Sequence, residues 1–314
     1  MRKPPNIALL GADDPLGEAI LRLLSEREIE VGEIYPLTFS ETEGCVSARG
    51  VEIPLIEASG FDWPSADWLI NASRSAAAER LAGQAAQAGC RTIGLGSGAE
   101  EAGHTRLAGA LSVAVQRVLA PIHPVAPLQR VSVVAMLPVA AAGEAGVAEL
   151  ASQTRALFAM ESAEPEVFPL QMAFNLIPQV GVIDSDGGTR IERDTAEEIR
   201  ELLGLPVLPV SVTAIWAPMF YGAALTVHAV CEHAIDIAAL RLRLTGQAGV
   251  TLMEADLPGG VPTPATDALD SEGVFVGRFR SGGGDRDLAM WLVVDMTRLE
   301  AARIVDCLEN FIEK

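Results

Sequence analysis

Basic residues are scarce in this chain of 314 residues. There are 23 Lys and Arg against 42 Asp and Glu, which gives a formal net charge of -19. A chain without a net positive field does not attract nucleic-acid phosphates or anionic membranes, so we expect neither as a partner. The longest weakly polar run, at residues 131–143, is too short to span a bilayer. The N-terminal residues lack the pattern of a signal peptide, and we expect a cytoplasmic location.

Cysteine and tyrosine are also rare, and their positions argue against several chemistries. The four cysteines form no CxxC pair, so the sequence predicts neither a disulfide framework nor a zinc site. His228, Cys231 and His233 are close in sequence, but His228 and Cys231 point to opposite faces of a predicted strand. We therefore predict no metal there. Neither Tyr35 nor Tyr221 has a lysine four residues later, so the Tyr-x-x-x-Lys pair of short-chain dehydrogenases is missing.

The first 95 residues alternate between short apolar runs and helix-like segments. Strand patterns at residues 6–10, 33–39, 68–71 and 91–95 are separated by segments with helical apolar spacing. This rhythm predicts an α/β fold with a Rossmann-like, doubly wound parallel sheet.

The pattern changes after Pro121 and favours an α+β domain with a mixed sheet. Further strands are predicted at residues 130–139, 209–217, 224–231, 274–280 and 288–294, with few crossovers between them. A helix is predicted from 194 to 203, with Thr195 and Glu198 in capping-box spacing. The last helix is predicted to open with a second capping box, from Thr297 to Glu300.

The GADDPLG turn at residues 11–17 lies between the first strand and the first helix. A dinucleotide fold places its pyrophosphate loop there, because glycines let backbone N–H groups approach phosphate oxygens at a helix N-terminus. Here the central position is Asp14, and Asp13 adds a second carboxylate that would face the pyrophosphate. Asp14 and Pro15 are also a favoured N-cap and first helical residue. We favour a helix start that binds nucleotide poorly over a working loop.

Candidate cofactor-binding residues follow the first three strands of the predicted parallel sheet. They are Gly11, Ala12, Gly17, Ser40, Asn71 and Ala72. Residues 28–48 contain no Lys or Arg to hold the 2′-phosphate of NADP, so NAD is favoured over NADP if a dinucleotide binds. We assign no firm cofactor and expect at most weak binding of NAD or NADP.

Several segments, in order over nearly the whole chain, resemble the aspartate-semialdehyde dehydrogenase family. The GADDPLG turn is similar to a degraded form of that family's GxTGxVG. The segment AFNLIPQVG at residues 173–181 is the most specific match. The other similar segments are residues 67–97, 119–150, 217–227, 263–280 and 288–305.

The resemblance implies an acyl-enzyme route that this chain is not equipped to follow. In the family a cysteine thiolate attacks an aldehyde, hydride passes to NADP and phosphate releases the acyl group, with a His as acid/base and an Arg for the substrate carboxylate. The cysteine position matches Ala110, a glutamine position falls near Leu137, and the Arg and His positions match Trp216 and Ala223. None of these side chains supplies a thiolate, a base or a cation. We therefore assign no catalytic residue.

We predict a catalytically degenerate homologue, similar to the family's Usg-type paralogues, that acts by binding or association as a homodimer. As the resemblance implies, residues 1–120 and the helix 297–314 form a Rossmann-like domain, and residues 121–296 form an α+β dimerisation domain.

Two alternatives stay open. One is an active NAD(P)-dependent aldehyde or semialdehyde dehydrogenase of the aspartate-family amino-acid pathway, with an altered substrate and mechanism. It predicts a deep pocket with polar groups near Ser112, Asn175 and Gln179. The other is a mixed dimer with an active paralogue. We set aside Cys90 as a relocated nucleophile because it lies at the start of a strand, whereas ligands bind beyond strand carboxyl ends.

Overall fold

A computed structural model describes residues 3–39, 44–73, 75–96, 103–254 and 259–312. The chain divides into two units, one formed by residues 1–108 and 300–314 and the other by residues 109–299. No helix among the described residues is both long enough and apolar enough to cross a membrane.

The first unit is built on a six-stranded parallel sheet. Its strands and helices are β1 (Ile7–Leu10), α1 (Pro15–Glu26), β2 (Ile34–Thr38), β3 (Cys45–Ala48), β4 (Val51–Pro54), β5 (Ile56–Glu57), β6 (Trp68–Asn71), α2 (Ala76–Gln87), β7 (Arg91–Leu95) and β8 (His104–Leu107). The strand order is β5-β2-β1-β6-β7-β8, and β3 pairs with β4 in a separate hairpin. β1 is buried along its whole length, as expected of a parallel strand covered on both faces. The strand order reverses between β1 and β6, which is where ligands bind in such sheets.

The second unit is built on a six-stranded mixed sheet. Its strands and helices are α3 (Ala110–Leu119), β9 (Leu128–Leu137), α4 (Gly143–Phe158), α5 (Arg190–Leu203), β10 (Val210–Trp216), β11 (Ala223–Cys231), α6 (Ile237–Leu244), β12 (Val250–Leu252), β13 (Val274–Ser281) and β14 (Asp287–Val294). The strand order is β10-β9-β11-β14-β13-β12; β10 runs parallel to β9 and β12 to β13, and the other pairs are antiparallel. The predicted fold class, a parallel α/β sheet plus a mixed α+β sheet, is confirmed.

The last helix, α7 (Met296–Ile312), begins in the second unit and ends in the first. Ala301, Ile304, Val305 and Leu308 are buried in one core with the apolar faces of β1, β6 and α1. This helix does not open with the predicted Thr297–Glu300 capping box. It begins at Met296, and the Asp295 carboxylate accepts the backbone N–H of Arg298 at 2.9 Å.

The start of α5 also differs from the prediction. The helix begins at Arg190, four residues before the predicted start, and ends before Gly204, which has a left-handed conformation. The carboxylate that closes its first turn belongs to Glu192, which accepts the backbone N–H of Thr189 at 2.8 Å. Thr195 and Glu198 lie inside the helix and are buried, so the capping box assigned to them was wrong.

Candidate functional site

The two glycines that flank the turn after β1 are required by the backbone itself. Gly11 has a φ of +77°, in the left-handed region that glycine enters without strain. A Cβ atom at Gly17 would lie 2.1 Å from the carbonyl oxygen of Gly11, so only glycine allows α1 to approach β1 this closely. These are the turn and packing roles that glycines have in dinucleotide folds, and the turn keeps that geometry.

The two carboxylates of the turn point in different directions, Asp14 over the turn and Asp13 to the end of β2. Asp14 occupies the N-cap position of α1, yet its side chain makes no hydrogen bond to the helix backbone. A Cβ atom at Gly11 would lie 2.9 Å from Asp14 Oδ2, which shows that this carboxylate folds over the turn. Burial, and then the charge of Asp13, raise the pKa of Asp14 above its ordinary value of 3.8. Asp13 accepts a hydrogen bond from the Thr38 hydroxyl at 2.7 Å.

Three backbone donors of the turn are already used. The N–H groups of Gly11 and Ala12 both donate to the Leu37 carbonyl oxygen, at 2.9 and 3.1 Å, and Asp14 N–H donates to the Gly11 carbonyl oxygen at 3.1 Å. Pro15 has no N–H group to offer. A pyrophosphate at this turn would therefore meet two carboxylates and could not use these three donors.

The other predicted cofactor-binding residues lie at the neighbouring strand end, except one. Asn71 ends β6 and pairs with Leu10 of β1, so Asn71 and Ala72 lie at the point where the strand order reverses. The Asn71 side-chain oxygen accepts Ser73 N–H at 3.1 Å, and Ala72 N–H donates to the Leu10 carbonyl oxygen at 2.9 Å. Ser40 lies outside the described residues.

A cleft of about 210 Å³ opens beside the end of β2. Thr38, Phe39, Glu57, Arg80 and Gln84 are among its lining residues. Arg80 belongs to α2, is exposed, and has no ion-pair partner among the described residues. The sequence interpretation missed this cation because it searched only the segment that follows β2, whereas Arg80 comes from a helix about forty residues further along.

In the second unit, three of the four residues that the sequence resemblance matches to the family's reactive positions lie at one end of the mixed sheet. Leu137 and Trp216 end β9 and β10 as register partners, and Ala223 begins β11. Leu137 and Ala223 are almost fully buried, and Trp216 packs edge-to-face on Phe168 with 5.1 Å between ring centroids. The adjoining loops bind each other, since Val139 N–H donates to the Met219 carbonyl oxygen at 2.8 Å.

The fourth position, Ala110, is the first residue of α3 and is fully buried. Next to it lies a buried polar cluster that the sequence interpretation did not find. Glu198 Oε2 accepts hydrogen bonds from the Ser112 hydroxyl at 2.5 Å and from Gly109 N–H at 3.0 Å. This carboxylate fixes the start of α3, and Ser112 is closed off from solvent.

The structure also shows the surroundings of Cys90, His228 and Cys231, which the sequence analysis set aside as a nucleophile and as metal ligands. Cys90 is buried, its thiol contacts the carbonyl oxygens of Trp63 and Ala66 at 3.0 and 3.1 Å, and burial raises its pKa. A thiol of raised pKa is a poor nucleophile. On β11, His228 is exposed whereas Cys231 is buried.

The fold and the turn together define a two-unit α/β protein with a Rossmann-like parallel sheet. A family model described as "Semialdehyde dehydrogenase, dimerisation domain" matches residues 119–299. A USG-1 protein homolog of Azotobacter vinelandii is 32% identical over 319 residues, which cover 95% of this chain and 94% of that protein. An aspartate-semialdehyde dehydrogenase of Legionella pneumophila is 27% identical over 325 residues, covering 96% and 94%. The structure of a probable aspartate-semialdehyde dehydrogenase from Pseudomonas aeruginosa is 30% identical, covers 98% of each chain and superposes with a TM-score of 0.88.

The chain belongs to the aspartate-semialdehyde dehydrogenase family.

Proposed function

We propose that this protein is a catalytically inactive member of its family that acts by binding or association as a homodimer. The observation that carries the proposal is the set of side chains at the four reactive positions. They are Ala110, Leu137, Trp216 and Ala223, and all four are buried. Removing nucleophile and base together typically costs about 10⁶ in kcat. Purified protein is therefore expected to give no phosphate-dependent, NADP-linked turnover of aspartate semialdehyde.

An active enzyme with another mechanism needs polar groups that converge on an open pocket. The three residues that would supply them have separate surroundings. Ser112 is buried against Glu198. Asn175 donates to the Gln171 carbonyl oxygen at 2.9 Å, and Gln179 donates to the Gly181 carbonyl oxygen at 3.1 Å, both within their own loop. We therefore prefer the inactive alternative.

The turn after β1 favours the proposal that any dinucleotide binds only weakly. Two unit charges about 4 Å apart repel by roughly 1 kcal/mol in water and roughly 4 kcal/mol near a protein surface. Asp13 and Asp14 would each repel a pyrophosphate in this way, and each 1.4 kcal/mol or so weakens binding about tenfold. Arg80 supplies a cation in the cleft beside β2. The other described residues that line this cleft include no Lys or Arg to offset the charges of Asp13 and Asp14.

Replacing Asp14 by glycine is expected to lower the dissociation constant for NAD at least about tenfold, because it removes one carboxylate from the pyrophosphate position. Glycine also tolerates the N-cap position, and the Asp14 side chain makes no capping bond that would be lost. Isothermal titration calorimetry of wild type and variant with NAD and with NADP measures the change.

Asp62→Gly is the matched control for this experiment. Asp62 is also an N-cap residue followed by a proline in the first turn, and its side chain makes no capping bond either. It should leave nucleotide affinity unchanged. Micromolar binding of NADP by the wild-type protein would contradict the proposal of weak binding.

A further inference from the structure

The outer edge of β2 is only partly paired. One side of the strand pairs with β1 along most of its length, but on the other side β5 pairs only with Leu37 and Thr38. The Glu33 carbonyl oxygen accepts Ile7 N–H of β1 at 2.8 Å. Because the backbone groups of successive residues point to alternate sides of a strand, those of Ile34 face the outer edge. Among the described residues, neither the N–H nor the carbonyl oxygen of Ile34 has a partner there.

An open groove of about 490 Å³ runs beside this unpaired edge, between β2 and the hairpin of β3 and β4. We call it the edge groove, and its walls include Ile34, Tyr35, Val51, Ile53, Pro54 and Ile56. Val51 is 62% exposed and Ile56 36% exposed, so apolar surface is left in contact with solvent. An unpaired strand edge beside exposed apolar side chains is the arrangement that binds an extended peptide by strand addition.

The length of the unpaired edge suits a short segment. β2 has five residues and β5 pairs with two of them, which leaves three open. Three residues of a strand span about 10 Å. Pro36 lies among them and has no N–H group, so an added strand would pair through Ile34. An edge interrupted by proline resists the growth of a long intermolecular sheet, yet it still allows a local contact.

The groove is negatively charged beside Tyr35. The Tyr35 hydroxyl donates a hydrogen bond to the Glu33 carboxylate at 2.7 Å. This hydrogen bond, then burial, and then the charges of Glu33 and Asp67 raise the pKa of Tyr35, so both carboxylates act on the hydroxyl. Among the described residues that line the groove, Arg49 is the one cation, and its guanidinium donates to the Ile29 carbonyl oxygen at 2.5 Å. With a net charge of -19 on the whole chain, the field favours a basic partner.

We propose that the edge groove binds an extended, basic segment of a partner protein, which adds to β2 as a further strand. The backbone of the segment pairs with Ile34, and alternate apolar side chains pack on Val51 and Ile53. A Lys or Arg of the segment reaches Glu33. The groove belongs to the first unit, whereas the family model for the dimerisation domain matches residues 119–299. The contact therefore goes beyond the proposed association as a homodimer.

The test screens the full-length chain on an array of random octapeptides with blocked termini. Wild type is expected to select peptides that alternate apolar residues and contain Lys or Arg. Val51→Arg and Glu33→Lys each place a cation in the groove at an exposed position, so both variants should fold and bind the strongest peptide at least about tenfold more weakly in fluorescence anisotropy. The matched controls, Val207→Arg and Glu232→Lys, change exposed residues of the second unit and should bind it as wild type does.

Strand addition is tested by analogues of the strongest peptide, each N-methylated at one backbone amide. Methylation of the amide that donates to the Ile34 carbonyl oxygen removes a hydrogen bond and is expected to weaken binding about tenfold. Methylation of either neighbouring amide, which points away from β2, should change the affinity much less. Apolar packing without strand pairing would not produce this dependence on position.

Basic, alternating peptides that bind wild type and the controls, lose affinity for both groove variants and respond to one methylated amide support the proposal. An array that selects no such peptide, or groove variants that bind the peptides as wild type does, overturns it. Sedimentation velocity tests whether a second copy of the chain occupies the groove instead. Self-association that Val51→Arg weakens and Val207→Arg does not would overturn the proposal in favour of that occupant.

Discussion

Replacing Glu198 by alanine is expected to lower the free energy of unfolding by about 3–5 kcal/mol. Gly109 N–H would lose its acceptor inside a buried cluster, and the Ser112 hydroxyl would keep only the Thr195 carbonyl oxygen, at 3.5 Å. Unsatisfied buried donors cost roughly 1–3 kcal/mol each, and the missing side chain also leaves a cavity. Urea denaturation followed by circular dichroism and tryptophan fluorescence measures the loss.

Glu197→Ala is the control that the same helix provides. Glu197 is the neighbouring carboxylate of α5 and is exposed, so its removal should change stability by less than about 0.5 kcal/mol. Glu198→Gln keeps an acceptor of nearly the same shape and should fall between the two. Equal stability of the Glu198→Ala and Glu197→Ala proteins would show that the cluster does not hold the start of α3.

Restoring a thiol at the nucleophile position is expected to leave the protein inactive. An Ala110→Cys variant still has Ala223 and Trp216 where family chemistry implies a base and a cation for the substrate. Position 110 is also fully buried, and an unactivated buried thiol is a poor nucleophile. We expect its turnover of aspartate semialdehyde to stay about 10⁴-fold or more below that of an active family member.

The assay is reduction of NADP at saturating phosphate, with an active aspartate-semialdehyde dehydrogenase as the positive control. Ala114→Cys, another fully buried position of α3, controls for the added thiol itself. Turnover that appears with Ala110→Cys and not with Ala114→Cys would mean that a base and a substrate site survive nearby.

Local sequence patterns located most elements but failed where two local signals competed. The strands at residues 68–71 and 91–95 have the predicted bounds, because each is a short apolar run bounded by turn residues. For α5 the sequence offers Thr-x-x-Glu spacing twice, at Thr189 and at Thr195. The Glu of the second pair, Glu198, instead accepts a hydrogen bond from Gly109 N–H, 89 residues earlier in the chain. No local pattern encodes that contact.

In the candidate site too, features set by neighbouring residues could be predicted and features set by distant contacts could not. The turn of residues 11–17 is local, so its place between β1 and α1 could be predicted from spacing alone. The direction of the Asp14 side chain, the arrival of Arg80 beside β2 and the Glu198 cluster depend on packing between distant segments.

The most direct measurement is a turnover assay of the purified wild-type chain with aspartate semialdehyde, phosphate and NADP or NAD, over a range of protein concentrations. If inert side chains have replaced every group that forms or breaks a covalent bond, reduced cofactor will accumulate no faster than in a blank without protein. Reduced cofactor that forms in proportion to protein concentration and stops when phosphate is withheld would contradict the account.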